Sequence, residues 1–247
     1  MMTRWRPTLI EITRSGRGPL VRGPTVPVDV LQVELDAAAA DGDVSDVTAC
    51  ATELAVVAAA GGDVMHPRVR SVVSSLRTRG VTVGLVVLET HVGSMDARLE
   101  LSGSTDAAVL SAQPDTPVAA ALLGGMVLPG LIGYSGHELR QLLRAPCAGV
   151  VHEIDHRAAA VRGSAREMLG SRWLQAAHLA VVCGGDTQLD DIQRVFAACA
   201  HAMRPGRDLI ACAYSTVADQ DTRAFVTGFV RRRAFAQLVG GADAGGV

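Results

Sequence analysis

Residues 179–214 read LAVVCGGDTQLDDIQRVFAACAHAMRPGRDLIACAY. Leu179–Cys183 is a short apolar run that stops at Gly184-Gly185, as a strand buried on both faces does. Behind it, Ile192, Val195, Phe196, Cys199 and Met203 recur at helical spacing over 187–204, and Asp186 or Thr187 can cap the start. Leu209–Tyr214 is a second apolar run, entered after Pro205-Gly206. Strand, helix and strand in this order make an α/β unit. The helix face that includes Phe196 is expected to pack on a sheet built partly from 179–183 and 209–214.

The same pattern extends outward. Thr8–Ile12, Val28–Glu34, Leu54–Ala58, Val81–Leu88 and Ala107–Ser111 read as strands, as do Gly149–His152 and Ala224–Val230. Two further helices alternate with them. In 67–79, Pro67 fits the first helical position, and Val69, Val72, Val73 and Leu76 form one face. In 157–173, Val161, Ala165, Met168, Leu169 and Trp173 form another. A short helix is expected at Glu138–Leu143. The stretch between Ser111 and Pro129 has room for about three helical turns, and Gly124-Gly125 weakens it. A break near 128–135 divides the chain into 1–127 and 128–230, with 231–247 a frayed tail.

Composition limits the function classes. A chain of 247 residues with 49% hydrophobic residues buries a substantial core. A net charge of -2 offers no attraction to nucleic acid or an anionic membrane. No apolar run is long enough to span a bilayer, so membrane insertion is not expected. The opening residues lack the unbroken apolar stretch of a secretory signal, and a cytoplasmic location follows as the expectation. Cys50, Cys147, Cys183, Cys199 and Cys212 are odd in number and mostly in apolar runs, which suits reduced, core-filling thiols. The chain has no lysine, which excludes a Walker A phosphate loop.

From Leu128 onward the order of motifs resembles FtsZ, of the tubulin/FtsZ superfamily. Pro129-Gly130-Leu131-Ile132 resembles the family's PGLIN. Ser171-Arg172-Trp173-Leu174 stands where the family has SSPLL, and Gly184-Gly185-Asp186 with Leu189 and Asp191 is similar to its GGxDLxLxE. Arg207-Asp208-Leu209-Ile210 resembles ANII, and Thr227-Gly228-Phe229 matches the closing TGF. In the first half, Thr8–Gly18 looks like the first strand and a fragment of its glycine loop. Val28–Ala37 resembles VEFIAINTDAQ, and Thr82-Val83-Gly84-Leu85-Val86 resembles TVGVV. The resemblance implies an α/β fold of the FtsZ/tubulin type. A reduced, parallel-sheet GTPase-like domain (1–127) would be followed by a smaller α+β domain (128–230).

The resemblance also says where chemistry should sit. The family's GGGTGTG phosphate loop corresponds to Ala60-Gly61-Gly62-Asp63-Val64-Met65-His66-Pro67, which is shorter and places a carboxylate where phosphate would lie. Gly16, Gly18, Asp36, Gly61, Gly62 and Asp63 are the positions implied for nucleotide contact. The family's NxDxxD catalytic loop reads Gly133-Tyr134-Ser135-Gly136-His137-Glu138, so Ser135 and Glu138 are the implied catalytic pair, with one carboxylate left of two. Glu138 reads equally as a first-turn acid of a helix. No resident cofactor is expected, GTP or GDP being the one the resemblance leaves open, and no GTP hydrolysis above background.

One motif competes. His152-Glu153-Ile154-Asp155-His156 spells HExxH, which on a helix would let His152 and His156 share a zinc ion with Glu153 as base. The residues before it read as strand, and an extended 149–154 holds the two histidines roughly 13 Å apart. The motif is therefore read as a decoy and no metal is expected. The expected function is a non-catalytic or weakly nucleotide-binding FtsZ-like protein acting through contacts with another copy of itself or with a full-length FtsZ whose filaments it caps or modulates. An active, filament-forming GTPase is the alternative, and a zinc hydrolase the second.

Overall fold

A computed structural model describes residues 7–15, 20, 26–36, 49, 51, 53–90, 94–128, 130–157, 170–185, 187–203, 208–215 and 221–231. Gly16, Gly18, Cys50, Asp186, most of the 157–173 helix and the 232–247 tail lie outside them. The strands are β1 (Thr8–Thr13), β2 (Asp29–Glu34), β3 (Leu54–Ala60), β4 (Thr82–Leu88), β5 (Ala108–Ala112), β6 (Gly130–Ile132), β7 (Cys147–Ile154), β8 (Ala177–Cys183), β9 (Leu209–Tyr214) and β10 (Arg223–Arg231). Among the described residues the α-helices are α1 (Pro67–Thr78), α2 (Met95–Thr105), α3 (Val118–Leu122), α4 (Gly124–Val127), α5 (Gly136–Leu142) and α6 (Leu189–Ala202).

The ten strands among the described residues share one sheet, in the order β2-β1-β3-β4-β5-β7-β10-β8-β9-β6. From β2 to β7 every pairing is parallel. β10 runs antiparallel to both β7 and β8, β8 and β9 are parallel, and β6 closes the edge antiparallel to β9. Segments 1–127 and 128–230 are thus joined through the β5–β7 pairing. The central strands are covered on both faces, which is why they read as unbroken apolar runs, whereas the edge strands β2 and β6 are largely exposed. One face carries α3, α4 and α5 over Val56, Val86, Leu110, Val151, Val181 and Phe225. The other carries α1 over Val57, Leu85 and Val87, and α2 and α6 over Val150, Ala180 and Val182.

The α6 face is Ile192, Val195 and Cys199, all buried, as the periodicity predicts. Phe196 packs against the rim of that cluster and is partly buried. Cys147, Cys183, Cys199 and Cys212 are buried thiols. Burial pushes the Cys147, Cys199 and Cys212 thiols up to about 12, which keeps them unreactive. Among the described residues no helix is long and apolar enough to cross a membrane.

The stretch between β5 and β6 shows how so short a helical segment is held. Val118 to Leu123 is buried throughout, so the carbonyls released where α3 ends cannot turn to water. Two tyrosines supply the missing donors. Tyr214 Oη donates to Ala120 O at 2.8 Å, and Tyr134 Oη donates to Leu122 O at 2.5 Å. Gly124 and Gly125 make room for them, since a Cβ would lie 2.2 Å from Tyr214 Oη at the first position and 2.6 Å from Tyr134 Cε1 at the second. The glycines that weaken the helix by propensity thus admit the rings that anchor it, Tyr214 from β9 and Tyr134 from the segment between β6 and α5.

Candidate functional site

The parallel half places the site. β1 has β2 on one side and β3 on the other, so the chain reverses direction across the sheet between β1 and β3. In open α/β sheets the loops leaving such a pair splay apart and leave a crevice at the carboxyl ends of the strands. Here the two segments are Thr13-Arg14-Ser15 and the single turn Gly61–Asp63 that leads toward α1, so the topology puts the crevice between them.

An ion pair spans it. Arg14 donates from Nε and from an Nη to the same oxygen, Oδ1 of Asp63, at 2.9 and 2.6 Å. The Asp63 side chain is 7% exposed and that of Arg14 is 49% exposed, so the carboxylate is the inner member. The bond and charge of Asp63 raise the Arg14 pKa further above its ordinary value. Sequence reasoning places a free acid at Asp63, repelling phosphate. The structure gives that acid a counter-ion, so the obstacle at this point is an occupied crevice. Beside it, Ser15 Oγ donates to Glu34 Oε2 at 3.1 Å, tying the end of β1 to that of β2, and Asp36 stays exposed beyond.

The next gap along the same edge is filled in the same way. Glu89, just after β4, binds Arg98 of α2 and accepts from Ser111 Oγ at 3.0 Å. Its side chain also sits under Gly61, where a Cβ would come within 3.2 Å of Glu89 Cβ. At Gly62 a Cβ would meet nothing within 4 Å. The start of α1 serves itself: Pro67 has no N–H to offer, and His66 Nδ1 accepts from Arg68 N at 3.2 Å. Sequence reading missed Arg14, which lies 49 residues from Asp63, and Glu89 and Arg98, which are nine residues apart across a strand end and a helix where no local pattern flags them.

The implied catalytic pair is used locally as well. Ser135 and Glu138 form a reciprocal cap on α5. Glu138 Oε2 accepts from Ser135 N at 2.7 Å and Ser135 Oγ at 2.8 Å, and Glu138 N donates to Ser135 Oγ at 3.3 Å. The Ser135 N–H, and then its hydroxyl, hold Glu138 below its ordinary pKa, which weakens it as a base. α5 also sits at the wrong end of the sheet to serve the crevice of its own chain. Arg140 Nε donates to Thr82 Oγ1 at 3.2 Å, and its guanidinium pairs with Glu53 at 3.7 Å. Those residues open β4 and precede β3. The crevice lies at the other ends of these strands, about 20 Å away at strand rise.

The HExxH string lies in β7, where His152, Glu153 and Ile154 are extended and pair with Val226, Phe225 and Ala224 of β10. Neighbouring strand side chains point to opposite faces, so the helical geometry that would let His152 and His156 share an ion is missing. Glu153 is held by Arg223 through two bonds, at 2.8 and 2.7 Å. Burial pushes His152 below its ordinary pKa.

No family model matches this chain, and no curated protein matches it. Solved structures do. A mutant of FtsZ from M. jannaschii superposes with a TM-score of 0.67 at 14% identity, over 93% of this chain and 91% of that one. CetZ from Methanosaeta thermophila gives 0.47 at 11% identity, over 88% and 76%. TubZ of Bacillus thuringiensis serovar israelensis, in GDP-form protofilaments, gives 0.42 at 12% identity, over 78% and 66%. The chain therefore has the FtsZ/tubulin-like fold, with its sequence far diverged from that of the FtsZ it superposes on.

Proposed function

We propose that this chain is an FtsZ-fold protein that does not turn over GTP and works through protein contacts, with a second copy of itself or with a full-length FtsZ. The observation that carries the reading is the Arg14–Asp63 pair across the crevice at the strand-order reversal. A triphosphate bound there would have to displace Asp63 from Arg14 and would then lie beside that released carboxylate. The capping role of Glu138 supports the same reading. Using it to position water would break two bonds to Ser135 and uncap α5.

Gly62 favours a second reading, an active GTP-binding protein. A glycine that neither adopts a positive φ nor packs against anything leaves backbone open to a ligand's approach. The nucleotide content of the purified protein, together with phosphate release measured over a range of protein concentrations, separates the two. The expected result is no stoichiometric GDP or GTP and release at background. Turnover that rises with protein concentration would establish the second reading instead, because it requires a site shared between copies.

A further inference from the structure

We infer that Asp63 is a built-in counter-anion, occupying an anion subsite on Arg14 that opens when the Asp63 charge is removed. The inference rests on the reading of the crevice given above and adds a latch to it.

Three observations converge. The pair stands at the strand-order reversal, where an open parallel sheet offers a crevice for a ligand. The pair is lopsided in burial, 7% against 49% exposed, so the carboxylate lies inside and the guanidinium stays within reach of solvent. Both bonds fall on one carboxylate oxygen, and among the described residues Arg14 has no other hydrogen-bond partner. Of the five N–H donors of a guanidinium, the remainder are left for a second anion once the first is gone. Gly62, the residue before Asp63, is itself uncrowded, with nothing within 4 Å of where its Cβ would be. An arginine reached from solvent, an adjoining open backbone position and an internal carboxylate in the place of an external one describe a receptor for a phosphoryl or carboxylate group. Its occupant is supplied by the chain itself.

The test uses the full chain, inorganic phosphate as probe, and calorimetric titration with thermal unfolding in parallel at constant ionic strength. Asp63→Asn keeps the side chain's size and removes its charge. It should bind phosphate saturably and gain thermal stability with it, while the wild type does neither. Arg14→Gln/Asp63→Asn should lose at least tenfold in affinity. A folded Asp63→Asn protein indifferent to phosphate overturns the inference. So does wild type that binds phosphate as tightly as the variant, or a double variant that binds as well as the single one. Asp63→Ser, smaller and uncharged, gives the same set of outcomes should the asparagine variant prove insoluble. GDP run beside phosphate identifies the source of the anion: tighter binding of GDP by Asp63→Asn assigns a nucleotide, equal binding a bare phosphoryl group, and both support the subsite. GDP carried by the wild type would instead strike at the proposed function, so the two failures are distinguishable.

Discussion

Substituting Gly124 by alanine tests whether the two tyrosines hold the joint between the halves of the chain. The new Cβ would lie 2.2 Å from Tyr214 Oη, 2.3 Å from Cζ and 2.7 Å from Cε1. Carbon contacts are comfortable only at about 3.5–4.0 Å. The ring has little freedom to retreat, being 3% exposed with its hydroxyl bonded to Ala120 O. Forcing it aside is overpacking, which costs about 1–3 kcal/mol. Breaking the hydroxyl's bond strands a buried carbonyl, for about another 1–3 kcal/mol. The better helix propensity of alanine returns about 1 kcal/mol. The net loss is therefore about 3 kcal/mol, with a range of about 1–5. In a chain of this size that lowers Tm by roughly 6–12 °C. Urea unfolding followed by circular dichroism should show a lower midpoint at unchanged slope. In a Tyr214→Phe background the bond to Ala120 is already gone, so Gly124→Ala should cost about 1–3 kcal/mol less there. Gly62→Ala is the control, with open space for its methyl and an expected change within about 0.5 kcal/mol. A Gly124→Ala protein as stable as wild type would refute the argument, because propensity alone would then decide the helix.

Two further outcomes follow from the site and the core. Ser135→Ala should cost about 1 kcal/mol by removing the cap of α5, and Glu138→Gln should cost less because the amide still accepts from Ser135 N; equal stability of Ser135→Ala and wild type in urea would show that the cap contributes nothing. His178 is fully buried in β8, and burial pushes it down from 6.5 to about 4. The unfolded chain then binds the extra proton first, so stability is complete above pH 6.5 and is lost as pH falls toward 4, by up to about 3 kcal/mol. His152, also pushed down by burial, adds to the same slope. His178→Gln should flatten most of it in chemical denaturation between pH 4.5 and 6.5, and an unchanged slope would show that the histidine is not excluded from water.

The legible part of the fold is the part written in apolar side chains. The central strands stand out because both of their faces are covered, so Val, Leu and Ala fill consecutive positions, while the edge strand β2 is mostly exposed and shows only through Val30, Leu31 and Val33. α1 and α6 stand out because one face is buried and the other wet. β6 escaped because its residues Gly130, Leu131 and Ile132 are all exposed and are strand only by pairing with β9. α2 escaped because much of its buried side is polar. Arg98 binds Glu89, and Ser102 Oγ donates to Ala107 O at 2.5 Å while accepting from Cys147 N at 2.9 Å. No hydrophobic period can report such a face. The site was half legible for the same reason. Motif order locates the loop carrying Gly61, Gly62 and Asp63. The partner of Asp63 is 49 residues earlier, a relation set by β1 lying beside β3.

The two acids that the sequence singles out are each committed to the scaffold, and this bears on how copies could associate. Asp63 holds Arg14 at the carboxyl edge of the parallel strands, while Glu138 caps α5 at the opposite edge. The length of β4 separates them, so one chain cannot bring both to one ligand, and only a second copy placed end to end could. In such an arrangement, sharing a nucleotide would require Asp63 to release Arg14 and Glu138 to release Ser135. Both releases oppose assembly, since each breaks charge-assisted bonds that already exist in the single chain. Under the proposed function, association must draw its free energy from ordinary surface burial. Exposed apolar residues at the two edges are available material: Leu131 at 77% and Ile132 at 44% exposure stand just before the Ser135 cap, and Met65 at 56% stands two residues after Asp63. Covering two such side chains contributes about 2–4 kcal/mol at most, enough to help a contact and too little to make one alone. A weak, nucleotide-independent association, strengthened by a larger partner surface, is the behaviour these magnitudes support.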